Sequence, residues 1–501
     1  MIGNENKVRL NSGSSKYGEC VSPFINGAPL ASESEATIDV VNPSTGRRLM
    51  SIPAGCQVDV DRAVASARAA FDDGRWSATA PSFRKGILRR FAELIERDAV
   101  VLDTLDALEM GKPVSERFAD AKSAAGLMQF YSEALDKATG DLYVSDKSSL
   151  VLQRLVPRGV VAAVVPWNFP AYNAVLKIAP ALAAGNCVIL KPSELSTQSA
   201  CLLCRLAVEA GLPTGVLNLV PGMGEIVGRA LGLHSGVDMI SFTGSSIVGK
   251  KMLEYSGLSN MKVVVAECGG KSPHIVFADG VSVDVASDTI ARALVTNQGQ
   301  ICSVGSRLLV QKSLEEPVLQ KIAQRMKEVV IGDALNPATT FGPIASSKQF
   351  GRVMHYIEGA EQDGARLVAG GRAVRRDSGG YFVEPTVFAG VKTNARIAQE
   401  EIFGPVLAVM TFEDEQEAVR LANSTVYGLS ANVWTASLST GIRMAKAIRS
   451  SVRVFSAPPS PEGAGHMVSF EPGGQSGIGT EAGLAGMESY MRRQSIWIDH
   501  G

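Results

Sequence analysis

The chain has 501 residues, of which 46% are hydrophobic and 20% charged, the composition of a folded protein and not of a disordered one. Its 49 Lys+Arg and 50 Asp+Glu leave a net charge of −1, so no basic field exists to concentrate nucleic acid or anionic lipid. No apolar run approaches the roughly 18 residues that span a bilayer, and the length corresponds to about two to four domains.

Met1–Cys20 is polar, without an apolar core ahead of a small-residue cleavage site, and reads as an arm and not a secretory signal. The expectation is a cytoplasmic, reducing location in which the seven cysteines are thiols. From Val58 to Phe71, and again from Phe83 to Ile95, apolar residues recur at helical spacing, so the first third is predicted to be largely helical. Apolar runs at Val160–Val165, Cys187–Leu190, Val216–Val220, Met239–Phe242 and Lys262–Ala266 then alternate with helical patterns, which predicts a parallel sheet covered on both faces. A second α/β series follows, with helices near Asp284–Thr296 and Glu315–Val330 and a strand near Arg307–Val310. The fold class is therefore α/β in two domains. Ala457–Gly479 is rich in Pro and Gly.

Several segments carry candidate chemistry. Thr243-Gly244-Ser245-Ser246-Ile247-Val248-Gly249-Lys250-Lys251 falls between a predicted strand and helix, where backbone amides can hold a phosphate; a plain Gly-rich turn is the alternative. It nearly matches an ATPase phosphate loop but has Lys251 where a magnesium-binding hydroxyl is needed. Cys302 lies in the polar loop Asn297-Gln298-Gly299-Gln300-Ile301-Cys302-Ser303, either as inert core or as a nucleophile whose thiolate neighbouring amides stabilise. Glu267 ends an apolar run and precedes Cys268-Gly269-Gly270, a placement open to a general base. Asn168, between prolines in Pro166-Trp167-Asn168-Phe169-Pro170, is either a satisfied turn residue or a donor to developing negative charge. Lys191-Pro192-Ser193-Glu194 is a sugar-phosphate clamp or surface chemistry. Cys201-Leu202-Leu203-Cys204 reads as a buried helix face, and the five scattered histidines form no i,i+4 pair, so no metal site is expected.

Taken together, PWNFP, KPSE, FTGS, ECGGKSP, NQGQICSVGSR and EEIFGPV closely resemble the NAD(P)-dependent aldehyde dehydrogenase superfamily over about Phe24 to Trp497. Ser259-Asn260-Met261-Lys262 and the cysteine loop look most like the γ-glutamyl-γ-aminobutyraldehyde and related amino-aldehyde enzymes. The resemblance implies oxidation of an aldehyde to a carboxylic acid. Cys302 would form a thiohemiacetal and then a thioester, Asn168 and the Cys302 amide would hold the oxyanion, and Glu267 would activate the hydrolytic water. It also implies a cofactor groove formed by Val165, Pro166, Trp167, Lys191, Ser193, Glu194, Gly224, Gly228, Phe242, Thr243, Gly244, Ser245, Val248, Cys268, Gly269, Gln349, Glu401 and Phe403. Glu194 would bind ribose hydroxyls and repel a 2′-phosphate, which favours NAD while leaving NADP open.

Tyr172, Leu176, Thr296, Ile301 and Phe470 are expected around the aldehyde, in a moderately apolar tunnel with Glu471 near a cationic or amide-bearing tail. The segment Ser469-Phe470-Glu471-Pro472-Gly473-Gly474-Gln475-Ser476-Gly477 departs from the family's Pro-Phe-Gly-Gly-x-Lys-x-Ser-Gly. By resemblance, residues 1–138 and 157–266 form a Rossmann-type NAD-binding domain and 267–480 an α/β catalytic domain. Residues 139–156 and 481–501 form a bridging β element that joins protomers into dimers or tetramers. A CoA-acylating semialdehyde dehydrogenase and a catalytically silent scaffold member are the alternatives.

Overall fold

The computed structural model describes residues 22–459 and 465–500; the N-terminal arm and Ser460-Pro461 lie outside the described residues. Its first sheet is built from β1 (Val160–Val164), β2 (Cys187–Lys191), β3 (Leu217–Leu219), β4 (Met239–Thr243) and β5 (Val263–Glu267). Helices α1 (Pro170–Ala183), α2 (Gln198–Glu209) and α3 (Ser246–Gly257) make three of the crossovers. These five strands run parallel in the order β3-β2-β1-β4-β5. Every residue of β1 and β2 is buried, which is why they read as continuous apolar runs without alternation. Chain order reverses at β1, between β2 and β4, and the crevice at a reversal lies off the carboxyl ends of the strands. Phe24–Ile25 extends one edge of the sheet and Gly477–Ile478 the other, the latter reaching across from the C-terminal part of the chain.

The second sheet has seven strands, with Pro273–Val276, Arg307–Gln311, Val406–Phe412 and Ser430–Trp434 at its centre and Ser451–Phe455 at one edge. Helices Val283–Val295 and Glu315–Lys327 pack on it, close to the ranges read from periodicity. A separate three-stranded sheet pairs Ser149–Pro157 with Asp141–Tyr143 and with Met491–Asp499.

The first third is helical over Gln57–Asp72, Pro81–Arg97, Ala99–Met110 and Ala121–Ala134. It also holds a β-hairpin, Thr37–Asn42 with Arg47–Pro53, that the periodicity did not show. The hairpin has a bulge at Val40/Val41 and only two buried residues, Val40 and Ile52, so its apolar alternation is too sparse to register. Cys201 and Cys204 are buried on α2. Among the described residues no helix is long and apolar enough to cross a membrane, and no cluster of three His, Cys, Asp or Glu is placed to hold a metal ion.

Candidate active site

Cys302 follows a backbone knot. Asn297, Gln298 and Gly299 are consecutive left-handed residues, with φ of 45°, 55° and 67°, a conformation that costs free energy at the two non-glycine positions. Buried amides hold it in place. Asn297 Nδ2 donates to the Asn168 carbonyl (2.7 Å), Asn168 Nδ2 donates to the Gln300 carbonyl (2.9 Å), and the Ala345 amide donates to Gln300 Oε1 (3.0 Å). Asn173 Nδ2 completes the set at Asn168 Oδ1 (3.2 Å). Asn168 is thus brought to the nucleophile loop, with one of its two amide hydrogens engaged by that loop.

The Cys302 thiol is half-buried yet crowded by protein. Burial pushes it up to about 12, the Glu401 and Glu267 carboxylates push the same way, and the Ser303 amide opposes them. Gly270 lies against this loop so closely that a Cβ there would come 2.5 Å from the Cys302 carbonyl oxygen. Three residues earlier, Glu267 ends β5, buried, with Oε1 lacking any hydrogen-bond partner. Burial raises its carboxyl to about 9; the Glu481 carboxylate adds to the rise and the Lys177 ammonium opposes it.

Lys177 and Glu481, which carry no motif in the sequence, form a fully buried ion pair whose charges act on Glu267. Lys177 left a signal: it is a lone charge in a helix where thirteen of fourteen residues are buried, and a buried charge needs a partner. Glu481 left none, since it lies outside any helix or strand, its backbone bridged to Phe470 by hydrogen bonds of 2.9 and 3.0 Å.

The residues expected to hold a dinucleotide cluster at the carboxyl ends of the first sheet. Val165, Pro166 and Trp167 follow β1, Lys191 ends β2 with Ser193 and Glu194 beyond it, and Phe242 and Thr243 end β4. Lys191 is buried with its ammonium 3.8 Å from the Glu194 carboxylate. Ser245 caps α3, accepting from the Val248 amide (3.4 Å), and Val248 packs beside the buried Phe242. Gly224 and Gly228 bound a π-turn, and a Cβ on Gly224 would meet nothing. A Cβ on Gly244 would come 2.5 Å from the Phe242 ring, so any larger residue there would have to displace that ring.

On the far wall the Gly270 amide donates to Glu401 Oε1 (2.9 Å), and Gly269 presses on the same carboxylate. Gln349 Nε2 donates to the Ile402 and Phe403 carbonyls (2.9 and 2.8 Å), bracing Phe403 at φ 59°. Gln349 therefore supports the groove through the backbone of Phe403, whose ring meets Trp167 edge-on at 5.2 Å. Cys268 is buried against Phe242 and Met252, beneath α3. These features suit a dinucleotide: open backbone at Gly224, a capped helix start, a buried lysine beside a carboxylate, and an unpartnered buried Thr243 hydroxyl.

Of the expected substrate residues, Tyr172 and Ile301 join Phe169, Val304 and Ala119 in one apolar cluster. Leu176 packs into the first core, Thr296 turns its hydroxyl back to the Arg292 carbonyl, and Phe470 is half-buried at its bridge to Glu481.

A doubly wound sheet with a thiol loop and a buried carboxyl at its switch-point crevice is the layout of a dinucleotide-dependent oxidoreductase. Residues 30–496 match the aldehyde dehydrogenase family, and the chain belongs to it. It is 41% identical over 479 residues, 95% of each chain, to the NADP/NAD-dependent aldehyde dehydrogenase PuuC of Escherichia coli (strain K12). Among solved structures it resembles an indole-3-acetaldehyde dehydrogenase complexed with NAD+ at TM-score 0.93 and 44% identity, covering 95% of this chain and 96% of that one. It also resembles the γ-glutamyl-γ-aminobutyraldehyde dehydrogenase of Burkholderia cenocepacia J2315 at TM-score 0.92 and 42% identity, over 96% and 97% of the two chains. The chain is accordingly an NAD(P)-dependent enzyme that oxidises an aldehyde to a carboxylic acid.

Proposed function

We propose that this aldehyde dehydrogenase works through Cys302, Asn168 and Glu267. The observation that carries the assignment is the hydrogen bond from Asn168 to Gln300, two residues before Cys302, with buried Glu267 acting electrostatically on the same thiol. Cys302 Sγ, after its proton has passed to solvent, adds as the thiolate to the aldehyde carbon, and the carbonyl π bond breaks to leave an oxyanion. The new oxyanion accepts from the second Asn168 amide hydrogen and from the Cys302 N–H. When bound, the dinucleotide supplies the hydride acceptor that turns this adduct into a thioester. Glu267 then takes a proton from the attacking water, and Cys302 leaves as the acid is released. The Lys177–Glu481 pair sets the electrostatic field in which Glu267 holds that proton, Glu481 strengthening its hold and Lys177 opposing it. With a base at position 267, water and not coenzyme A is the acyl acceptor.

The cofactor is NAD in preference to NADP, supported by Glu194 beside Lys191. Lys191, Ser193, Glu194, the turn from Thr243 to Ser245, Gly269, Glu401 and Phe403 would hold it, with Val165, Pro166, Trp167, Gly224, Gly228, Phe242 and Val248 forming the walls and Gln349 and Cys268 behind them. Residues 1–138 and 157–266 serve as the NAD-binding domain and 267–480 as the catalytic domain.

The aldehyde tunnel runs along Tyr172, Ile301 and Phe169, with Leu176, Thr296 and Phe470 at its sides, and favours apolar or aromatic aldehydes. Relatives named for indole-3-acetaldehyde and for γ-glutamyl-γ-aminobutyraldehyde support a bulky carbon tail. Glu471 is exposed and enters no ion pair among the described residues, which leaves it available to a cationic tail. The three-stranded sheet exposes Leu142, Tyr143, Trp497 and Ile498, and we assign it to homo-oligomer assembly, as a dimer or tetramer, in the cytoplasm. The test is NADH and NADPH formation over a panel of aliphatic, aromatic and amino-aldehydes, beside Cys302→Ala and Glu471→Gln. Cys302-dependent turnover is expected; turnover that survives Cys302→Ala refutes the assignment.

A further inference from the structure

Helix α3 is attached to the body of the molecule by a narrow seam. Of its twelve residues only Gly249, Met252 and Ser256 are buried, and Ile247 in its first turn is 74% exposed. Gly249 rests on Cys268 so closely that a Cβ would sit 2.5 Å from Sγ. The first turn has a second attachment, which comes from the departed segment at 469–477. Ser246 Oγ donates to the Gln475 carbonyl (2.7 Å), and Lys250 Nζ, one turn on, donates to Gln475 Oε1 (3.0 Å).

The residues around Gln475 are anchored elsewhere. The Gln475 amide donates to the Val426 carbonyl (2.8 Å), the Ser476 carbonyl accepts from the Cys268 amide (2.7 Å), and Ser476 Oγ accepts from the Gly428 amide (3.0 Å). Gly477 lies directly opposite Glu267 in the sheet. Three consecutive residues therefore touch the phosphate turn, the strand of the buried carboxyl and the loop before Ser430–Trp434.

We propose that Gln475 is a positioning residue for cofactor binding: it fixes the first turn of α3 against the strand that carries Glu267. The proposal rests on the reading of α3 as the cofactor's phosphate turn. The Gln475–Lys250 contact is exposed, so its loss weakens cofactor binding without lowering global stability.

The experiment measures NAD affinity, steady-state kinetics and Tm on the full-length enzyme with Gln475→Ala, Gln475→Glu, Lys250→Ala and the Gln475→Ala/Lys250→Ala pair. Gln475→Ala is expected to weaken NAD binding about 3- to 5-fold while kcat at saturating NAD stays within about 2-fold and Tm is unchanged. Gln475→Glu retains an acceptor for Lys250 and keeps wild-type affinity. The double variant is no weaker than either single one, as two ends of one contact require. Unchanged affinity in Gln475→Ala, or additive losses in the pair, overturns the proposal. Lys250→Ala reads the same contact from its other end, so the test stands even if Gln475→Ala folds poorly. Ser245→Ala separates the two levels: if it weakens NAD binding and Gln475→Ala does not, only this proposal fails, and if neither does, the reading of α3 fails with it.

Discussion

Asn168 Nδ2 donates to the Gln300 carbonyl at 2.9 Å, so the side chain assigned to the oxyanion and the loop that presents the nucleophile are held by one hydrogen bond. Asn297 returns the contact to the Asn168 backbone at 2.7 Å, and together they stabilise three successive left-handed residues. The donor geometry is fixed before any aldehyde arrives, which is what electrostatic stabilisation of developing charge requires.

Asn168→Ala removes both the oxyanion donor and this brace. It should lower kcat by about 100- to 1000-fold, measured by NADH formation at saturating aldehyde.

The thiol is held in its protonated form by burial and by the carboxylates of Glu401 and Glu267. Alkylation of Cys302 by iodoacetamide should therefore be slow at pH 7 and accelerate toward pH 10. Glu401→Gln removes one negative charge and should speed labelling at pH 8 by about 2- to 5-fold, read by mass spectrometry of the Cys302 peptide.

Glu267 acts as a base only when deprotonated, and its carboxyl is raised to about 9 by burial and by Glu481. Under conditions where hydrolysis limits turnover, kcat should rise with pH through the neutral and alkaline range. Glu481→Gln removes the repelling carboxylate, so the midpoint of the kcat–pH profile should move to lower pH; an unmoved midpoint contradicts the electrostatic coupling.

Much of the fold was legible because its determinants are local. Fully buried parallel strands such as Val160–Val164 appear as unbroken apolar runs, and Gly270 lies where a Cβ would come 2.5 Å from the Cys302 backbone carbonyl oxygen. What stayed hidden is non-local. Glu481 matters because a strandless stretch brings it to Lys177, 304 residues away in sequence, and Gln475 because its loop reaches both Ser246 on α3 and the Val426 carbonyl. Cys268, expected among the cofactor contacts, has its side chain beneath α3, packed by Gly249.

Asp106 supplies a stability test away from the chemistry. Burial raises its carboxyl to about 7, against an unfolded value near about 4, while its Oδ2 accepts from the Ala171 amide at the start of α1. Between those values the native state holds the extra proton, so stability is greatest below the window and falls as pH rises through it. Asp106→Asn keeps an acceptor and carries no charge. Its urea midpoint should fall less between pH 5 and pH 8 than that of the wild type.

The most direct test of the central claim is single-turnover kinetics with Glu267→Gln, NAD and an aldehyde, followed by intact-mass and peptide analysis. The account predicts one NADH released per active site, then arrest, with an acyl group trapped as a thioester on Cys302. Sustained turnover, or NADH formed with no acyl mass on Cys302, would contradict it.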